Sequence, residues 1–339
     1  MCKTDRFLAD MVQVQKKIAL LHRYEKDSIK ETNAAFPYLQ KKGIDVLTFK
    51  KFDRLSKYKK FWKSILWIFY APILVFRKNY DVIYCDDSYP FYPALVKLVS
   101  PKSKIVIRLG DLHLLYYYSG FLYEFLHGLE EIGWSIADEI ICISEAMAER
   151  LRKEGYSPLV ALDPVDAKDF PPSVPHNAKI VMFHGVLTKN KNLDVLLEAA
   201  KRLPDLDFII IGNGPDLNRL INKSPNNVYF TGWVPFKDIP SFINRCAVGV
   251  ALRAENPGNE LVVTSSYLQY GIMGKPCLVT RRKVFGEYEW QFSTVSEMVD
   301  KIRILIKHPD EGLRLRKYVL ENHSAEKIAG EIWEILTQV

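Results

Sequence analysis

Four short segments between Lys179 and Pro276 carry residue types suited to holding phosphate. They are HGVLTKNKNLD (His184–Asp194), IGNGP (Ile211–Pro215), FTGWVP (Phe230–Pro235) and GKP (Gly274–Pro276). The first three each follow an apolar, strand-like run and carry a glycine at the turn. A nucleotide diphosphate needs backbone N–H groups at a helix N-terminus together with a fixed cation. Gly185 closes the first run, and Lys191 stands just before a helical pattern over Leu193–Leu203. A lysine there can reach a β-phosphate and stabilise it as it leaves; a solvated lysine at a helix start would show the same pattern. Gly212 and Gly214 make a tight turn that allows close backbone approach. Gly232 lets a flat base approach the chain, with Trp233 or Val234 flanking it; packing of Trp233 on the next helix accounts for it equally well. In Gly258–Pro276, Thr264 or Ser265 caps a helix and leaves the amides of Ser265 and Ser266 free for phosphate. Gln269 then lies about one turn inside, within reach of ribose hydroxyls.

These turns need strands and helices to hold them. Apolar runs alternate with helical patterns at Lys17–Leu21, Ile44–Phe49, Asp81–Cys85, Lys104–Leu109, Glu139–Ile143 and Leu159–Leu162. The rhythm repeats at Lys179–Phe183, Leu206–Ile211, Val228–Phe230, Ala247–Leu252 and Pro276–Val279. Strand, helix, strand at this spacing predicts right-handed crossovers and parallel sheets, twice. The proline- and acid-rich stretch Asp163–Pro175 is the natural linker. Ligands of such sheets bind beyond the carboxyl ends of the strands, so the expected site is a cleft between two Rossmann-like, doubly wound α/β domains.

A length of 339 residues suits two domains of about 160 each. The apolar and charged fractions, 48% and 26%, are those of an ordinary globular protein. Five cysteines form no CxxC and no metal-like spacing, and read as reduced core residues of a cytosolic protein. The N-terminus does not read as a signal peptide. The net charge of +7 is concentrated: residues 41–80 hold eleven Lys/Arg against Asp45 and Asp53. Aromatic residues interleave with these cations, which favours a membrane surface over nucleic acid. Over residues 55–78, Tyr58, Phe61, Trp62, Ile65 and Phe69 share one face of a helix, with Lys59, Lys60 and Lys63 off it. That segment reads as a crossover helix lying on the sheet, as an interfacial helix, or as both. Its apolar run is too short to span a bilayer.

In this order the pieces resemble the nucleotide-binding half of GT-B glycosyltransferases, specifically the large retaining family of sucrose and mannosyl transferases. The resemblance runs from about Ala137 to the C-terminus and more loosely over the rest. ADEIICISEAMAERL (Ala137–Leu151) is similar to the last strand and helix of the family's first domain, and Asp163-Pro164-Val165-Asp166 stands where the family has Asn-Gly-Val-Asp. The segment from His323 to Leu336 resembles the closing helix that crosses back to that domain. The resemblance implies domains over 1–165 and 166–322, with a crossing helix over 323–339. It implies a nucleotide-sugar donor, UDP- or GDP-linked, no cofactor and no metal, since cations of the protein take a metal's place.

Several positions depart from the family pattern. Lys191 matches the diphosphate lysine, but Val186 stands in place of the usual arginine. The Glu-x7-Glu pair falls on Leu261 and Gln269, with Glu260 one residue early. Arg253 is the replacement cation this implies, and Glu260 or Gln269 the ribose ligand. In VIRLGDLH (Val106–His113), Gly110 replaces the family's histidine, Asp111 matches its aspartate and His113 follows. Asp111 or His113 is then expected to contact the transferred sugar or the acceptor. The expected activity is retaining hexosyl transfer to a lipid-linked or glycan acceptor, at the cytosolic membrane face through residues 50–78. An inverting transferase with Asp111 or His113 as base, and an inactive nucleotide-binding partner of another transferase, are the alternatives.

Overall fold

The computed structural model describes residues 16–22, 33–48, 59–87, 91–112, 115, 120–173 and 179–339, and in the helix that begins at residue 59 it describes side chains from residue 66 onward. Among these residues there are two six-stranded sheets, each entirely parallel. The first contains β1 (Ile18–His22), β2 (Asp45–Thr48), β3 (Val82–Asp86), β4 (Lys104–Leu109), β5 (Glu139–Cys142) and β6 (Leu159–Val160), in the order β2-β1-β3-β4-β5-β6. The second contains β7 (Ile180–His184), β8 (Asp207–Ile211), β9 (Val228–Gly232), β10 (Val248–Ala251), β11 (Cys277–Thr280) and β12 (Gln291–Phe292), in the order β12-β11-β10-β7-β8-β9. The expected double α/β architecture is therefore present. The edge strand β12 was not legible, because two residues are too few to show a period.

The strands are continuous apolar runs because helices cover both faces. In β1, Ala19 and Leu21 turn to one side and pack with Trp67, Ala71 and Val75 of α2 (Lys59–Val75), Val96 of α3 (Tyr92–Val99) and Trp134 of α4 (Gly120–Ser135). Ile18 and Leu20 turn to the other side, where Phe36 and Leu39 of α1 (Phe36–Lys41) meet Ile328, Ile332 and Leu336 of the last helix. The closing segment therefore lies against the first sheet, far from its neighbours in sequence. Two crossings join the halves, and they zip together: Val165 N donates to His323 O at 2.8 Å and Ala325 N to Val165 O at 3.1 Å. Cys85, Cys142, Cys246 and Cys277 are buried and unpaired.

In helix α2 Phe69, expected on the face that lies on the sheet, is instead exposed, while Lys59, Lys60 and Lys63 lie outside the described side chains. Trp67, Ile68, Ala71 and Val75 face the sheet, yet Leu66, Phe69 and Ile73 stand exposed on the opposite side. Over its described side chains the outward face is apolar. Phe61, Trp62 and Ile65 lie outside the described side chains. Among the described residues no helix is long and apolar enough to cross a membrane.

Candidate active site in the interdomain cleft

Strand order reverses at two places. In the second sheet β7 lies between β10 and β8, so connections leave its end on opposite faces and open a crevice there. His184, the last residue of β7, Gly185 and the following turn border this crevice. A short 3₁₀ turn, Lys189–Lys191, leads into α6 (Asp194–Arg202) and ends on Asn192 in the left-handed conformation, φ 49°. Asparagine tolerates that region, so the turn can stop abruptly and leave Lys191 at the cleft.

Lys191 is largely desolvated. Burial first and then Arg253 lower its pKa to about 7, against the opposite pull of Asp111 from the first domain. Three groups named on sequence grounds, one from across the cleft, thus lie within electrostatic reach of one another. The neighbouring His184 is buried and neutral, its pKa lowered to about 4 by burial and then by Lys191. Its Nε2 is buried without a hydrogen-bond partner, while the ring meets Tyr270 edge-on at 5.0 Å.

A buried asparagine holds the cationic pair. Asn259 accepts from Arg253 through Oδ1 at 3.2 Å and donates through Nδ2 to Asn190 Oδ1 at 2.7 Å and Ala254 O at 2.8 Å. Ala254 N donates to Asn190 O at 2.8 Å, which closes the brace. Arg253 Nε is buried and has no hydrogen-bond partner.

The other predicted donor-side residues fall into distinct places. A Cβ on Gly212 would overlap the carbonyl oxygen of Gly185, and one on Gly214 that of Leu187. The close approach at these glycines is therefore between two loops of the crevice floor. Trp233 is 72% exposed, so it does not pack on the following helix, whereas Val234 is half-buried against the core. Thr264 is the N-cap of α9 (Ser265–Ile272), accepting from Tyr267 N, and Ser265 is exposed at the first helical position. Gln269 and Ser265 line a cavity of about 100 Å³ with Asp163 and Asp166 of the crossing segment. Glu260 is already engaged: Oε1 lies 3.4 Å from Arg282 Nε, and Oε2 accepts from Lys283 N at 2.9 Å. Leu261, in the position of a family glutamate, is buried with Val262 among core residues of the first domain, and its carbonyl accepts from Ser144 Oγ at 2.5 Å. Val186, in the arginine position, is exposed. His113 lies outside the described residues.

The first sheet contributes a buried charge chain at its own reversal, between β1 and β3. His22 donates from Nδ1 to Asp86 Oδ2 at 2.7 Å, and Arg108 bridges Asp86 Oδ1 at 3.2 Å and Asp163 Oδ1 at 2.5 Å. Burial pushes the Asp86 carboxyl up, but His22 and Arg108 more than offset it and hold it below its ordinary value. Burial raises Asp163 to about 6 against the pull of Arg108. Both oxygens of Asp86 are thus occupied by protein groups.

Sequence reasoning placed Asp86 at a strand end lining the cleft but missed Asn190, Asn259, the burial of His184, and the pairing of Asp86 with His22 and Arg108. Continuous apolar strands gave no sign that His22, Asp86 and Arg108 would stand side by side. The only local hint was a polar residue at or near a strand end in each case.

Two family models match, one for each sheet. The model described as Glycosyltransferase Family 4 matches residues 31–162, and that described as Glycosyl transferases group 1 matches residues 178–308. No curated protein matches the chain significantly. Among solved structures, the chain is similar to sucrose-phosphate synthase from Thermosynechococcus elongatus, with a TM-score of 0.75 and 14% identity over 95% of this chain and 98% of that one. It is similar to the catalytic domain of starch synthase IV from Arabidopsis thaliana bound to ADP and acarbose, with a TM-score of 0.70 and 10% identity over 95% and 99%. The lipopolysaccharide outer core galactosyltransferase WaaB gives a TM-score of 0.65 and 15% identity over 95% and 100%. At such identities the structural likeness establishes the fold.

Proposed function

The chain belongs to the GT-B glycosyltransferases of the family-4 type, and on that premise we propose that it moves a hexosyl group from a UDP- or GDP-sugar to a lipid-linked or glycan acceptor at the cytosolic face of a membrane, with retention at the anomeric carbon. The observation that carries this reading is that Lys191, in the turn after β7, and Arg253, after the neighbouring β10, are tied together through Asn190 and Asn259, with Asp111 within electrostatic reach.

The bond from the anomeric carbon to the β-phosphate oxygen breaks, and its electron pair goes to that oxygen. Lys191 and Arg253 sit where this charge develops, in a site already stripped of much water. Binding a diphosphate restores the Lys191 proton, because an adjacent anion favours the charged form. The acceptor oxygen bonds to the anomeric carbon on the same face, and its proton passes to the leaving phosphate. No strong protein base is required, so the role of Asp111 is to orient the sugar or the acceptor hydroxyl. The start of α9, where Ser265 is exposed and Ser266 buried, offers its first amides to phosphate. The Ser144–Leu261 hydrogen bond joins the first domain to the loop before α9.

A second reading, an inactive nucleotide-binding partner of another transferase, draws on Glu260, whose carboxylate is committed to Arg282 and Lys283. Incubation with a panel of UDP- and GDP-sugars, with and without lipid-linked acceptors, separates the two by nucleotide release. Release supports transfer. Thermal stabilisation by UDP or GDP without turnover supports the partner reading, and neither release nor stabilisation sinks both.

A further inference from the structure

We propose that the Gly274-Lys275-Pro276 turn closes a second ligand site, for an organic anion with an apolar body, at the end of the second sheet opposite the nucleotide crevice. This site is independent of the proposed transfer, and its occupancy can be read without turnover.

The turn has the residue types of the other phosphate-holding segments, but the fold separates it from them. Lys179 leads into β7, Ala247 into β10 and Pro276 into β11, and all three border a cavity of about 560 Å³, a size usual for small-molecule sites. In a parallel sheet these amino ends lie one strand length, about 15 Å, from the carboxyl ends where Gly185 and Arg253 stand. Met273 just after α9, Leu305 and Ile306 of α10 (Val295–Lys307) and Leu313 of α11 (Glu311–His323) supply apolar walls. The turn is held firmly. Lys275 N donates to Tyr270 O at 3.0 Å and Ser173 N to Met273 O at 2.9 Å, while a Cβ on Gly312 would overlap the Gly274 carbonyl oxygen.

Lys275 identifies the occupant as an anion. It borders the cavity and is only 6% exposed, yet among the described residues its ammonium has no hydrogen-bond or ion-pair partner. Burial lowers its pKa, and the opposing influence is Cys246. That thiol is itself neutral, its pKa pushed up to about 12 by burial, and it donates to Ile243 O at 3.2 Å, so it cannot balance the lysine. An ammonium kept from water without a counter-charge is costly, and an anion in the cavity removes that cost. Lys179 and Arg316 border the same cavity, against Asp310, which is exposed. Arg316 donates from Nη1 to Ile272 O, which fixes its guanidinium at the turn. A bare inorganic ion would leave the apolar walls unused. Cations beside apolar walls instead suit an aliphatic chain that ends in a carboxylate or a phosphate.

The test is isothermal titration calorimetry of the full chain with octyl phosphate, octanoate, inorganic phosphate and octanol, each amphiphile below its micellar range. Two variants are compared. Lys275→Met keeps the side-chain length and removes the charge, and Leu313→Glu sets a carboxylate in the wall at an exposed position. The wild type should bind octyl phosphate or octanoate, and the tighter of the two tells whether the head is phosphate or carboxylate. Inorganic phosphate and octanol should bind at least about tenfold more weakly, and each variant should weaken the anionic amphiphile by about tenfold or more. Without ligand, Lys275→Met should unfold no earlier than the wild type, because it loses an unpaired buried charge. Any thermal shift given by UDP or GDP should be the same in the wild type and both variants, since the crevice lies at the other end of the strands. A wild type that binds neither anion would overturn the proposal, as would octanol or inorganic phosphate binding as tightly. So would folded variants that keep full affinity. Amphiphile binding without nucleotide release from any donor would leave this site standing and remove the proposed reaction instead.

Discussion

Asn259 Nδ2 donates to Asn190 Oδ1 at 2.7 Å, and that bond joins the turn bearing Lys191 to the loop bearing Arg253. Asn259 is fully buried and also serves Arg253 and Ala254 O. Asn259→Ala would leave these partners unpaired away from water. The expected cost is about 1–3 kcal/mol of stability by urea unfolding, together with weaker nucleotide binding. An unchanged affinity for UDP and GDP would show that the two cations need no brace.

Nucleotide binding should take up a proton near neutral pH. In the free protein Lys191 titrates at about 7, lowered by burial and by Arg253. A diphosphate beside it raises that value, so proton uptake is expected at pH 8 and little at pH 6. Calorimetry in two buffers of different ionisation enthalpy measures it, and Lys191→Ala should abolish the difference. The same lowered value fixes the sign for folding: between about 7 and 10.5 the unfolded chain holds the Lys191 proton more tightly, so this group's contribution to stability rises with pH across that window.

Arg108 should matter for stability well beyond a surface cation. It lies buried between Asp86 and Asp163, and its removal takes the partner from Asp163 and leaves Asp86 with His22 alone. Arg108→Met is expected to cost about 3–5 kcal/mol in denaturant unfolding. A loss below about 1 kcal/mol would mean that the carboxyl groups are compensated by other groups or by water.

The floor of the crevice depends on Gly212. Its φ of 137° and its contact with Gly185 O leave no room for a side chain. Gly212→Ala should therefore lower stability by about 1–3 kcal/mol and displace the turn after β7, weakening UDP or GDP stabilisation. Gly232→Ala is the control for steric overlap, because no atom lies within 4 Å of the Cβ position there.

Much of the fold was legible because parallel strands buried on both faces write themselves as apolar runs, as at Val82–Asp86 and Ile180–His184. The turns carrying Gly185, Gly212 and Thr264 were legible for the same reason, since each follows a strand or opens a helix. What was not legible depends on side chains brought together by topology. His22, Asp86, Arg108 and Asp163 come from separate segments and meet only once the sheet reverses. The outward face of α2 was obscured because the helix is apolar on both sides, so a hydrophobic wheel could not tell core from surface. Leu261 and Glu260 illustrate a further limit. Register placed one at a donor position and the other beside it, whereas the loop buries Leu261 against the first domain and ties Glu260 to Arg282.

The most direct test is nucleotide release from UDP- and GDP-sugars by the wild type, Lys191→Ala and Arg253→Ala, with folding checked by thermal unfolding. The wild type should release nucleotide from at least one donor, Lys191→Ala should lose release while staying folded, and Arg253→Ala should fall by roughly 10²-fold or more. Full release by a folded Lys191→Ala protein would contradict the account.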